Sequence, residues 1–140
     1  MQNILYLCIL MSIIPYVRRS MQLYWLSDNI AVSDQIYPED VLELSDLGVR
    51  SIICNRPDME SEPDQPDANS IRQASENLGI EFAFHPVESN VQTEQDASGM
   101  AKYLCKLPKP IIAYCRSGGR STALIGLAEQ LEFINLQELE

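Results

Sequence analysis

One stretch constrains this chain more than any other: Pro110-Ile111-Ile112-Ala113-Tyr114-Cys115-Arg116-Ser117-Gly118-Gly119-Arg120-Ser121-Thr122-Ala123. It opens as a buried strand, tightens into a loop and closes as the start of a helix. Cys115 stands where the strand ends, and Arg120 where the helix begins. The two glycines between them tolerate positive φ, so successive N–H groups can turn inward as an anion nest. The helix adds its free N–H groups and the positive end of its dipole. That field favours a thiolate over a thiol. The pattern points to Cys115 as a nucleophile and to Arg120 as the planar ligand of an anion. Arg116, Ser117, Gly118, Gly119 and Ser121 complete the expected cradle. Ser121 is also placed to cap the helix.

The surrounding elements follow from periodicity and breakers. Strands are expected at 23–26 and 30–33, around the turn Ser27-Asp28-Asn29, and at 49–54 and 80–87. One helix is expected between Pro38 and Gly48, with Val41, Leu42, Leu44 and Leu47 as its apolar stripe. A second is expected over 67–78 with Ile71, Ala74 and Leu78 inward. A third starts from a capping box of Thr93 and Asp96 and stops at Pro108. A last helix is expected over 121–133, with Ala123, Leu124, Leu127, Ala128 and Leu131 inward. Strands alternating with helices predict an α/β fold, a single domain over residues 21–140 with a mostly parallel central sheet and helices on both faces. Sites in such sheets lie beyond the carboxyl ends of the strands. Three segments should meet there: Cys54 to Asp58, His85 to Ser89, and Cys115 to Arg120.

Composition narrows the partners. With 20 acidic and 10 basic residues the net charge is −10, which argues against nucleic acid and anionic membranes. Any basic site must therefore be local, and Arg116 with Arg120 is the obvious place. The four cysteines form no CxxC and no zinc spacing, so no metal or cofactor is expected and the chain reads as reduced and cytoplasmic. The acids Asp58, Glu60, Glu62, Asp64 and Asp67 read as a solvated face. Residues 1–20 read as an apolar extension ahead of an alternative start at Met21; the run Ile4–Ile14 is short of the about 20 residues a spanning helix needs.

Loop length separates the chemistries. Four residues lie between Cys115 and Arg120, one fewer than in phosphate-monoester thiol loops. The tighter loop suits a single sulfur carried as a persulfide, and so favours a sulfur transferase acting on a small sulfur-bearing substrate. The alternative is a phosphomonoester or phosphotyrosine hydrolase using the same Cys and Arg; a third reading is a non-catalytic anion-binding or redox-sensing module. A hydrolase also needs an acid for the leaving oxygen. Asp58, Glu88 and Asp96 are on the right side of the sheet, though capping already explains Asp96. Cys54 and His85 read as packing residues rather than as a resolving thiol and a base.

Ile36-Tyr37-Pro38-Glu39-Asp40, Ser51-Ile52-Ile53-Cys54-Asn55-Arg56-Pro57-Asp58, Pro86-Val87 and Ala113 to Ser121 together resemble the phosphatase-like domain family of beta-lactamase-hydrolase-like proteins, also described as a sulfur transferase family. The resemblance covers about residues 23–130. It implies a dual-specificity-phosphatase-like fold with a cysteine loop of rhodanese length. By position it makes Cys115 the nucleophile and Arg120 the anion ligand, with Asn55, Arg56 and Asp58 lining the site. It also implies a metallo-hydrolase domain as a partner. The chain departs from the pattern at Cys54, at His85 and after Gln130, where a shortened C-terminus would leave apolar surface uncovered.

Overall fold

The computed structural model describes residues 20–61 and 63–140. Its centre is a five-stranded sheet: β1 (Leu23–Trp25), β2 (Ile30–Ser33), β3 (Ser51–Cys54), β4 (Glu81–Phe84) and β5 (Ile111–Tyr114). The spatial order is β1-β2-β5-β3-β4. β1 and β2 form an antiparallel pair around the Ser27-Asp28-Asn29 turn, and every other pairing is parallel. β5 lies at the centre because Ile111-Ile112-Ala113-Tyr114 carries no polar face to show to water; a parallel strand covered on both sides reads as a continuous apolar run.

Alternation along each strand builds two cores. Ile30, Val32, Ile53, Ile111 and Ala113 face a layer made by α3 (Glu94–Lys106) and α4 (Gly119–Gln130). Ala31, Ile52, Cys54, Ile112 and Tyr114 face the layer of α1 (Asp40–Asp46) and α2 (Ala68–Asn77). The α/β architecture with helices on both faces is therefore as the sequence predicts. Register brings Ser33, Tyr114, Cys54 and Phe84 side by side at the carboxyl ends of four strands. The residues that follow them, Asp34, Cys115, Asn55 and His85, consequently leave the sheet along one edge.

Several local expectations change. Of the apolar stripe expected for α1, Val41 and Leu44 turn inward, while Leu42 and, just past the helix, Leu47 are exposed. Two residues three apart fill the inward face of so short a helix, leaving no room for a wider stripe. Leu78, just past α2, is exposed, and within the helix Ser75 is buried; its hydroxyl donates to Ile71 O at 2.7 Å, which satisfies the group without water. β4 stops at Phe84, and His85 and Val87 are tethered beyond it by their N–H groups to Cys54 O and Asn55 O. α4 begins at Gly119, before Ser121, and buries Ile125, whereas Ala123 and Leu131 are exposed.

The chain after Gln130 does not leave the core open. Ile134 is buried, a 3-10 turn spans Leu136–Glu138, and Leu136 and Leu139 pack on the α3/α4 side. Asn29 Nδ2 donates to Leu139 O at 2.8 Å and ties this tail to the β1–β2 turn. Phe133 is still exposed. The expected extension, apart from Ser20, and Cys8 lie outside the described residues. Among the described residues no helix is long and apolar enough to cross a membrane.

Candidate active site

The site begins with a backbone decision at Gly118. Its φ of +92° lets the chain reverse between β5 and α4, and a Cβ there would lie 3.4 Å from the Ser33 carbonyl. The reversal aims Gly118 N–H at Cys115 Sγ, 3.1 Å away. It also makes Gly118 the N-cap of α4, which leaves Ser121 in the helix interior. Gly119 N–H is close to Ser117 Oγ at 3.3 Å. Cys115, Arg116, Ser117, Gly119 and Arg120 line a cleft of about 450 Å³, with Glu60, Glu88, Ser89, Gln92 and Ala123 completing its wall.

Arg120 is the electrostatic centre of this cleft. Only 8% of it is exposed, so its charge must be met by the protein. Nη1 donates to Val87 O at 2.9 Å and, at 3.4 Å, to Asn55 O. Glu60 supplies the counter-charge, with Oε2 at 3.0 Å from Nη1 and Oε1 at 3.1 Å from Nη2. Among the described residues, Arg120 Nε is the one buried side-chain polar atom that has no hydrogen-bond partner. The same Glu60 Oε1 accepts from Arg56 Nε at 3.0 Å, and Arg56 Nη1 is held by Gln35 Oε1 at 2.7 Å. Burial by itself would raise the pKa of Glu60, but the Arg120 and Arg56 guanidiniums outweigh it and hold the carboxyl below its usual range.

Beneath the cleft sits a buried amide. Asn55, fully buried, donates through Nδ2 to His85 O at 3.0 Å and accepts at Oδ1 from Ser121 Oγ at 2.8 Å. It thereby joins the ends of β3 and β4 to the first turn of α4. Asn55 and Ser121, expected to line the site and to bind an anion respectively, bond to each other beneath the loop, and neither is among the residues lining the cleft. Asp58 Oδ1 accepts from Ala68 N at 2.8 Å, at the start of α2, and Asp58 is not among the residues lining the cleft. Asp67 caps the same helix through Ser70 N. Asp96 is engaged with Thr93 in the capping box, and Glu88 lines the cleft. The acidic loop is thus not simply a solvated face.

Cys54 and His85 pack as expected. The Cys54 thiol donates to Arg56 O at 3.3 Å, and burial pushes its pKa up to about 11. Burial raises the Tyr114 phenol as well. The His85 ring stands against Tyr103 with centroids 5.6 Å apart and reaches Asp96 O through Nε2 at 3.1 Å. A Cβ at Gly99 would lie 2.6 Å from this ring, so glycine is what admits it. Sequence reasoning missed Glu60 and Gln35. The available signal was the spacing of Arg56 and Glu60, four residues apart, obscured by the other acids in the loop.

Comparisons with known proteins agree with this geometry. The sequence profile described as "Beta-lactamase hydrolase-like protein, phosphatase-like domain" matches residues 22–131. A beta-lactamase hydrolase-like protein of Agrobacterium fabrum is 31% identical over 107 residues, 76% of this chain and 25% of the relative. One from Xylella fastidiosa is 29% identical over 112 residues, 80% of this chain and 26% of the relative. The chain spans about a quarter of the length of the curated relatives it matches. A crystal structure of a candidate phosphatase from Neisseria meningitidis superposes with a TM-score of 0.72 at 32% identity, covering 79% of this chain and 78% of that one. The core catalytic domain of the PP-IP phosphatase SIW14 of S. cerevisiae shares the fold, with a TM-score of 0.60 at 19% identity, covering 81% and 68%. The fold is dual-specificity-phosphatase-like, and the matched family and the Neisseria structure carry phosphatase descriptions rather than the sulfur transfer that loop length suggests.

Proposed function

Since the chain belongs to the phosphatase-like domain family of beta-lactamase hydrolase-like proteins, we propose that it is a cysteine-dependent phosphatase acting on phosphomonoesters. One observation carries the reading. Cys115 Sγ, with an N–H aimed at it, shares a cleft with a buried guanidinium whose Nε–H is unclaimed. A phosphoryl group entering the cleft takes Arg120 through its unpartnered Nε–H and the loop through its backbone amides. The Cys115 thiolate attacks phosphorus in line. The Sγ–P bond forms, the bond to the leaving oxygen breaks, and that oxygen takes a proton. Water then attacks the phosphocysteine, releases inorganic phosphate and returns the thiolate.

Glu88 is the proton donor in this reading. It lines the cleft, whereas Glu60 is held ionised by two guanidiniums and the Asp58 and Asp96 carboxylates accept backbone N–H groups at helix starts. The experiment is turnover of an aryl phosphate by wild type, Cys115→Ser and Arg120→Lys. Cys115→Ser should lose at least about 10³-fold in kcat, because the nucleophile is gone. Arg120→Lys should lose about 10²-fold, since a point charge replaces the fork. Turnover that survives Cys115→Ser refutes the reading.

Sulfur transfer is a second reading, motivated by the four-residue spacing from Cys115 to Arg120. Intact-mass measurement after incubation with glutathione persulfide tests it on the same preparation. A stable addition of one sulfur at Cys115, with no phosphate-ester turnover, would replace the first reading by the second.

A further inference from the structure

The Glu60 carboxylate lies where two guanidiniums converge, on the wall of the cleft that holds Cys115. Its placement is built. Gln65 Oε1 accepts from Glu60 N at 3.0 Å and Ser61 N at 3.1 Å, while Gln65 Nε2 donates to Pro57 O at 2.7 Å. This clamp presents the Glu60 side chain to the cleft, and Gln35 fixes Arg56 on its far side. Nevertheless, the fit is incomplete. Glu60 spends its two oxygens on both Nη atoms of Arg120 and on Arg56, and leaves Arg120 Nε–H, buried, with nothing. A planar carboxylate has two oxygens to share; a tetrahedral dianion has more, and can meet Nε and Nη2 together along the side of the fork.

We propose that Glu60 is an internal counter-ion of Arg120, and that a tetrahedral oxyanion binds by displacing it, after which Arg56 and Arg120 clamp the ligand jointly. Glu60 is thus a specificity-determining residue. It keeps the buried guanidinium paired between turnovers, and it sets a threshold that weak anions such as chloride do not cross. Arg56, through its convergence with Arg120, becomes a second ligand for the oxyanion. The inference rests on the reading of Arg120 as the substrate's anion ligand.

The opposite role, Glu60 as a brace that aims the arginines, makes a prediction of opposite sign. Calorimetric titration of the full chain with inorganic sulfate, at fixed ionic strength set with chloride, separates them. For displacement, Glu60→Ala should bind sulfate about 10- to 100-fold more tightly than wild type, and Glu60→Gln should fall between. Glu60→Gln keeps the side chain's shape, which covers a folding failure of the alanine variant. Arg56→Gln should weaken sulfate binding about tenfold. Unchanged or weaker sulfate binding in both Glu60 variants overturns the proposal while leaving the Cys115 chemistry standing. Absence of sulfate binding in every protein, with no effect of Arg120→Lys on turnover, overturns the anion site itself.

Discussion

Replacing Asn55 with alanine should damage the domain more than any other single polar change in the site. The side chain is fully buried and spans three elements. Its loss leaves His85 O without its 3.0 Å donor and the Ser121 hydroxyl without its 2.8 Å acceptor. Each buried group left unpaired costs about 1–3 kcal/mol, so the sum is about 2–6 kcal/mol. For a domain of this size, at about 3–5 °C per kcal/mol, that corresponds to a fall in Tm of roughly 6–30 °C. Urea denaturation gives the measurement, with a lower midpoint at an unchanged m-value. A double-mutant cycle gives the mechanism. Ser121→Ala alone orphans Asn55 Oδ1, but the Asn55→Ala, Ser121→Ala pair leaves no orphaned hydroxyl, so the double variant should be less destabilised than the sum by about 1–2 kcal/mol. An Asn55→Ala cost below about 1 kcal/mol, or strict additivity with Ser121→Ala, would refute the reasoning.

Other outcomes follow from the same geometry. Gly118→Ala should cost about 1–2 kcal/mol from its positive φ and lower kcat by shifting the N–H away from Cys115, read by denaturation and by aryl phosphate turnover. Glu88→Gln should slow alkyl phosphates far more than aryl phosphates with good leaving groups, because only a poor leaving oxygen needs the proton; equal loss on both would remove Glu88 from that role. Cys54 titrates at about 11 in the folded chain against 9.0 for the ordinary thiol, so the folded state binds more protons between those values. Its burial therefore stabilises the fold below pH 9, and this contribution is lost as pH rises from 9 to 11, on the order of 2–3 kcal/mol. Cys54→Ala should show a shallower fall over that window when stability is followed by urea midpoint, with Tyr114 still contributing above pH 10.

Some of this was written in the linear chain. Ile111 to Tyr114 has no polar alternation, so it had to be a central strand. The cysteine, glycines and arginine that follow read locally as a strand–loop–helix turn, and that turn is what the structure has. Thr93 with Asp96, and Gly48 after α1, are local signals that depend on nothing distant, and both are found as read. Local propensity also predicted helices on both faces of a parallel sheet.

What periodicity could not supply is which of several equivalent residues meets a neighbour far along the chain. Leu42, Leu47 and Leu78 carry the same apolar signal as Leu44, yet only the packing of α1 and α2 on the sheet determines which face is covered. Ser121 reads as an anion ligand because it adjoins the loop, and Asn55 as a lining residue only by resemblance; 66 residues apart, they bond to each other under the loop. The loop acids are alike in sequence, and the tertiary fold sends Asp58 to the start of α2 and Glu60 to Arg120, 60 residues away. A chain of amino acids determines which groups can form an anion cradle. Only the folded sheet, by bringing three strand ends to one edge, decides which carboxylate pairs with its arginine.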